Sequence, residues 1–132
     1  MPQKIILTTM VMLINDKNEI LVENRIKNDW PGLTFPGGHV EEDEDIVEAA
    51  KREFLEETGL TLLNIENIGY IEWNVKEENT RHLSILFKSN SFKGNICSSK
   101  EGIVFFLKKK ELTKYPFSND FDKILNIMFN KL

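Results

Sequence analysis

Glu53, Glu56 and Glu57 stand at positions i, i+3 and i+4 of a stretch with helical periodicity. That spacing puts their carboxylates on one helical face. Like charges so placed repel, at roughly 0.2–0.5 kcal/mol per exposed pair. A hard divalent cation offsets that cost, because Mg2+ binds through a few carboxylates and completes its shell with water and phosphate oxygens. Arg52 adjoins Glu53 and lies one turn before Glu56, where a guanidinium fork can hold and orient a carboxylate. A solvated acidic face would show the same glutamates. The upstream Pro36-Gly37-Gly38 shifts the balance toward chemistry: two glycines let the backbone approach a ligand, and a carbonyl there can join a coordination shell.

These residues need a helix and a turn to aim them. Asp45 followed by Glu48 predicts a capping box, with Asp43 as the alternative cap. Ile46, Val47, Ala50 and Phe54 recur at helical spacing as the buried stripe, and Gly59 ends the helix in the left-handed region. Upstream, Lys4–Ile14 and Glu19–Ile26 read as a hairpin about the turn Asn15–Asn18. A loop over Asn28–Gly32 leads into the short extended piece Leu33–Phe35. Downstream, Leu60–Asn74 carries two extended pieces kinked near Asn64–Asn67, then a turn at Lys76–Thr80 and a strand at His82–Lys88. Asn90–Ser99 reads as a loop and Ile103–Leu107 as an apolar strand. After a loop at Pro116–Asp120, Phe121, Ile124, Leu125 and Met128 mark an amphipathic C-terminal helix. Two helices and six or seven strands in mixed order predict an α/β fold, with the sheet sandwiched by helices.

The 132 residues suffice for one domain with a core, and a hydrophobic fraction of 41% fits a globular protein. A net charge of −4 leaves no broad basic field, which excludes a nucleic acid polymer as partner. An acidic protein that binds phosphates must neutralise them locally, and metal ions do so. The single cysteine, Cys97, excludes an internal disulfide and a cysteine-based zinc cluster and suits a reducing cytoplasm. The apolar run Ile5–Ile14 is too short to span a bilayer, is interrupted by Thr8 and Thr9, and lacks a secretory layout; no membrane partner is expected.

Gly38, five residues, Glu44, seven residues, then Arg52-Glu53-Phe54-Leu55-Glu56-Glu57-Thr58-Gly59-Leu60 matches the Nudix box at every defined position. With average residue usage a chance match is on the order of 10⁻⁸ to 10⁻⁷, so the spacing carries a resemblance to the Nudix hydrolases. The resemblance implies an α/β/α sandwich with a central mixed β-sheet, in which the loop and helix bind Mg2+ or Mn2+. It further implies hydrolysis of a nucleoside diphosphate linked to another group. Glu53, Glu56 and Glu57 would be the metal ligands, assisted by a Gly37 or Gly38 carbonyl, with Glu44 supporting the site and Arg52 orienting it. Glu53 is the first candidate to accept the proton of the attacking water.

Further segments resemble the MutT-type nucleoside triphosphate pyrophosphatases: Trp30-Pro31-Gly32 before Phe35-Pro36-Gly37-Gly38, Lys100-Glu101-Gly102, Tyr115-Pro116-Phe117-Ser118-Asn119, and Arg25. They imply Glu101 as an added ligand or base, Arg25 as a phosphate contact and Asn119 as a reader of an oxidised guanine. Each has a plain alternative: a charged turn for Glu101, a surface charge for Arg25 and a helix N-cap for Asn119, with Asp120 able to cap in its place. Trp30, Phe35, Tyr70 and Trp73 could stack on a base or simply pack, and His39 and His82 could face the cleft. Phe117, Ser118 and Asp43 depart from the family pattern. The substrate that fits these pieces is a small nucleotide, 8-oxo-dGTP first. ADP-ribose, a dinucleoside polyphosphate or a nucleotide sugar are the alternatives, and a non-catalytic nucleotide sensor is the reading from another class. Either a monomer or a homodimer is compatible with the sequence.

Overall fold

The computed structural model describes residues 2–26 and 31–130. Trp30 and the loop expected just before it lie outside the described residues. The strands are β1 (Lys4–Leu13), β2 (Glu19–Arg25), β3 (Gly32–Thr34), β4 (Gly37–His39), β5 (Leu60–Leu62), β6 (Glu66–Val75), β7 (Thr80–Ser89), β8 (Phe92–Gly94) and β9 (Gly102–Lys108). The α-helices are α1 (Ile46–Thr58) and α2 (Phe121–Asn130), and 3₁₀ turns cover Lys76–Glu78 and Lys109–Lys114.

Strand β1 is central. It pairs in parallel with β7 along its whole length and antiparallel with β4 over Thr8–Met10. With β6 this gives the mixed order β4-β1-β7-β6, beside an antiparallel sheet β3-β2-β9 and the pair β5-β8. Side chains alternate between faces along a strand, and the core divides accordingly. Met10, Met12, Ile20, Val22, Leu86 and Leu107 pack on one side with Phe121, Ile124 and Met128 of α2. Val11, Leu13, Leu21, Phe87 and Val104 pack on the other with Ala50 and Phe54 of α1. The α/β reading with helices on both faces of a mixed sheet is what the structure has.

The expected N-terminal hairpin is not formed. Asn15 does close a tight turn, its Oδ1 accepting from the backbone N–H of Lys17 and Glu19. Beyond the single bridge Ile14↔Ile20, however, β1 and β2 part into different sheets. The reason is that both edges of β1 are occupied, by β7 and by β4, so β2 takes β3 and β9 instead. The supposed loop Asn90–Ser99 likewise contains β8, which pairs with β5. The kink after β5 holds: Asn64 Oδ1 there accepts from Ser89 Oγ and from the N–H of Asn90 and Ser91. Among the described residues no helix is long and apolar enough to cross a membrane.

Helix α2 is locked by Phe121, fully buried and edge-on to both Phe35 and Phe117, with ring centroids at 4.9 and 5.1 Å. Because this ring anchors the segment that carries Asn119 and Asp120, Phe121→Ala should lower unfolding free energy by about 3–5 kcal/mol, measured by urea denaturation. A loss below about 1 kcal/mol would mean that the ring does not anchor the helix.

Candidate active site

Helix α1 begins where expected. The Asp45 carboxylate accepts from the Glu48 N–H at 3.2 Å, and Gly59 closes the helix at φ 79° with its N–H on the Leu55 carbonyl. Ala50 and Phe54 are fully buried, which fixes the rotation of the helix and aims Glu53 and Glu57 into the molecule while Glu56 stays exposed. Asp43, where the family favours glycine, sits at φ 65°, so the loop keeps the left-handed turn that glycine would supply.

Arg52 ties this loop to the helix. Its Nε and Nη2 donate to the two Glu44 oxygens at 2.7 and 2.9 Å, and Nη2 also reaches the His39 carbonyl at 3.0 Å. Nη1 donates to Glu53 Oε1 at 3.0 Å and to Glu56 Oε2 at 3.2 Å. The fork, helped by the Glu41 N–H, holds the Glu44 carboxyl down to about 2, and the Glu44 contact first raises the Arg52 guanidinium further above its ordinary value. Both Glu44 oxygens are thus engaged by Arg52, and the residue supports the site by holding the clamp. Burial raises Glu53 above the usual carboxylate range against the opposing pull of Arg52. Glycine is required at Gly37, where a Cβ would overlap the Thr9 carbonyl, and a Cβ on Gly38 would push the Glu53 carboxyl out of its place.

A cleft of about 720 Å³ opens over these groups, within the size range of small-molecule sites. Of the residues singled out from sequence, Gly37, Gly38, Glu53, Glu57, Arg25, Glu101, Phe35 and Asn119 line it. Glu44, Arg52 and Glu56 do not, and act from behind or at its rim. At the α1 end, Glu57 is 9% exposed and accepts from Ser99 Oγ at 3.1 Å, while the same hydroxyl receives the Glu101 N–H at 3.1 Å. Ser99 therefore couples the Glu101 loop to the helix, a link that no spacing pattern reveals. Arg25 faces Glu101 at 3.8 Å, and Glu101 sits in the turn just before β9, as the charged-turn alternative expects, while both residues border the cleft.

Glu23 was also missed. This residue of β2 is 2% exposed and lines the cleft beside Glu57. Burial first, then the Glu57 carboxyl, pushes its own carboxyl up to about 8. Its cross-strand partner Thr34 and the neighbouring Thr9 are buried as well.

The α2 end of the cleft has a different character. Trp73, His82, Asn119 and Asp120 line it, confirming both histidine 82 and, from β4, His39 as cleft residues. Asp120 accepts from the Trp73 indole N–H and pairs with Lys123 at 3.3 Å. At the start of α2 the Phe121 N–H goes to the Ser118 carbonyl and those of Lys123 and Ile124 to the Asp120 carbonyl, and none goes to the Asn119 side chain. The exposed Asn119 amide makes no side-chain hydrogen bond among the described residues, which leaves the capping alternative without support. Phe35 is 2% exposed and packs in the core, so it contributes little more than an edge to the cleft. Tyr70 is 59% exposed on β6 and lies outside it, and Cys97 is an exposed free thiol.

The donor set suits a hard cation: carboxylates on one helical face, a glycine turn against Glu53 and an unpartnered carboxylate oxygen on Glu23. Among the described residues no group of three or more acidic, histidine or cysteine side chains is placed to hold a metal ion by itself. Mg2+ usually takes much of its shell from waters and substrate phosphates.

The family model of the NUDIX domain matches residues 4–126. A curated 8-oxo-dGTP diphosphatase of Buchnera aphidicola is 39% identical over 83 residues, covering 63% of this chain and 62% of that protein. An oxidized purine nucleoside triphosphate hydrolase of Danio rerio is 35% identical over 89 residues, covering 67% of this chain and 53% of the relative. These matches therefore span less than two thirds of either relative. The crystal structure of the mutator MutT protein of Bacillus halodurans superposes with a TM-score of 0.77 at 27% identity, covering 91% of this chain and 78% of that one.

The raised Glu23 carboxyl has a stability consequence. Its folded value lies above that of the unfolded chain, so the folded state holds the extra proton and loses stability as pH rises from about 4.5 to about 8. In chelator, Glu23→Gln should therefore gain melting temperature relative to the parent across that window. A constant difference between the two curves would refute the assignment.

Proposed function

The chain belongs to the NUDIX domain family, which its match over residues 4–126 shows, and on that premise we propose that it is a divalent-cation-dependent pyrophosphohydrolase. It converts a nucleoside triphosphate to the monophosphate and pyrophosphate, and its substrate is an oxidised purine triphosphate of the 8-oxo-dGTP kind. The observation that carries this reading is the division of one cleft: Glu53, Glu57, Glu101 and Arg25 at one end, Trp73, Asn119 and Asp120 at the other. A polyphosphate needs the first set and a base the second. The named activities of the Buchnera and Danio relatives favour the same substrate class.

Glu53 and Glu57, with Glu56 beside them and a Gly37 or Gly38 carbonyl, are the groups that would hold the cation. When bound it supplies charge neutralisation at phosphate oxygens and acidifies water. Glu53 then accepts the proton of the attacking water, a task for which burial has already raised its basicity. Water attacks phosphorus in line, the bond between the α- and β-phosphate groups breaks, and the electron pair leaves with the departing oxygen. Arg25 meets the polyphosphate charge, and Glu101, placed by Ser99 and Arg25, is the second carboxylate at the reacting end. Asn119 offers a donor and an acceptor to the base edge, and the Trp73 ring is held by Asp120 as a wall for its face. In the cell this activity would clear damaged precursors from the cytoplasmic nucleotide pool before DNA synthesis.

The test is a substrate panel with Mg2+: 8-oxo-dGTP, dGTP, the other nucleoside triphosphates, ADP-ribose and diadenosine polyphosphates, with products identified by 31P NMR. Preferential release of pyrophosphate from 8-oxo-dGTP is expected. Preference for ADP-ribose would overturn the substrate, and no turnover of any compound would overturn the enzyme. Glu57→Gln should abolish turnover with an unchanged circular dichroism spectrum, and Glu53→Gln should lower kcat by about 10²–10⁴-fold. Unchanged rates in both would remove the roles assigned to them.

A further inference from the structure

Four buried polar side-chain atoms have no hydrogen-bond partner among the described residues: Thr9 Oγ1, Glu23 Oε1, Thr34 Oγ1 and Ser84 Oγ. All four residues line the same cleft. Unsatisfied buried polar groups are costly, the more so when charged, so a cluster of them lining one cleft points to a polar or cationic ligand.

Strand alternation sorts them. Leu21 packs on the α1 side and Val22 on the α2 side, so Glu23 projects toward α1, as does Thr34 directly opposite it in the β2–β3 ladder. Thr9 shares the α1 face with Val11. Three of the four atoms therefore border the catalytic carboxylates, and only Ser84 belongs to the base end. Of the three, Glu23 is the one with the chemistry of a strong ligand.

We propose that Glu23 is an additional ligand for the divalent cation at Glu57, contributed by a strand outside the Glu53–Glu57 helix and resting on the hydrolase reading above. Glu23 is 2% exposed, lines the cleft against the Glu57 carboxyl, and its Oε1 has no hydrogen-bond partner among the described residues. A cation held there would sit at about 2.0–2.1 Å from the carboxylate oxygen, the usual Mg2+–oxygen distance. A cation also turns the juxtaposition of Glu23 and Glu57 from repulsive to favourable, and hydroxyls of Thr9 and Thr34 can serve the water that completes its shell. Glu101 across the cleft adds a further carboxylate to the same region, so the charge balances a cation and not a bare phosphate.

The competing role is structural: Glu23 as a proton donor that merely steadies Glu57. Glu23→Gln separates the two, because its amide still donates to Glu57 but no longer supplies an anionic ligand. Mn2+ binding would be followed by the EPR signal of free Mn2+, without substrate, beside melting temperatures in chelator. Outer-shell groups alone are worth about 10–100-fold in metal affinity, so loss of a direct ligand should weaken Mn2+ binding by at least about tenfold. The proposal requires that loss together with a metal-free melting temperature equal to or above the parent's. Unchanged Mn2+ affinity overturns it, and so does weaker binding accompanied by a lower metal-free melting temperature, which is the signature of a structural role. If the parent protein binds no Mn2+, the hydrolase reading falls with it; if only the variant behaves like the parent, the hydrolase reading stands and Glu23 leaves the site.

Discussion

The site depends on one guanidinium. Arg52 spans the Glu44 carboxylate, the His39 carbonyl, Glu53 and Glu56, with donor–acceptor distances between 2.7 and 3.2 Å for its best contacts. Without it, the acidic loop and the acidic helix would repel each other, and Glu53 and Glu56 would lose the contact that orients them. A planar, five-donor cation suits this task in a way that a lysine does not, because two of its edges must be satisfied at fixed angles. The clamp is half-exposed, so its worth lies in orientation more than in stability. Orientation is what a phosphate-cutting site needs, since positioning and electrostatics supply most of the rate in such chemistry.

Around the clamp, the fold supplies two unlike ends to one cleft. β1 is the divider: its alternation sends Val11 and Leu13 to the α1 core and Met10 and Met12 to the α2 core, with the cleft lying where both layers reach the same strand end. The α1 end is acidic, lined by Glu23, Glu53, Glu57 and Glu101. The α2 end carries an indole, an amide and a pinned carboxylate. Orphaned hydroxyls at both ends leave the sheet incompletely satisfied where it borders the cleft. A core optimised for stability alone would have filled those positions with Val or Ala.

Much of this was legible before any coordinates, and for identifiable reasons. Helix α1 obeys local rules of cap, stripe and terminal glycine, and the inward placing of Glu53 and Glu57 follows from its period. Strand pairing obeys no local rule, which is why the tight turn at Asn15–Asn18 suggested a hairpin that competition for the β1 edges prevents. Glu23 escaped notice because an acidic residue at the end of an apolar strand usually marks the strand leaving the core. Ser99 escaped because its partners, Glu57 and the Glu101 backbone, are brought together only by the fold. Arg25, Glu101 and Asn119 were suggested by resemblance alone; the structure adds that all three face the same space.

The central claim is that Arg52 and Glu44 act as one device that aims the catalytic carboxylates. A double-mutant cycle on kcat/KM, with Arg52→Lys, Glu44→Gln and the pair together, addresses it directly. If the two residues form one clamp, the double variant should be no slower than Arg52→Lys alone, since the second substitution removes nothing that the first has left working. Losses that multiply, with the double variant slower by the product of the two single effects, would contradict the clamp and return Glu44 to an independent role in the site.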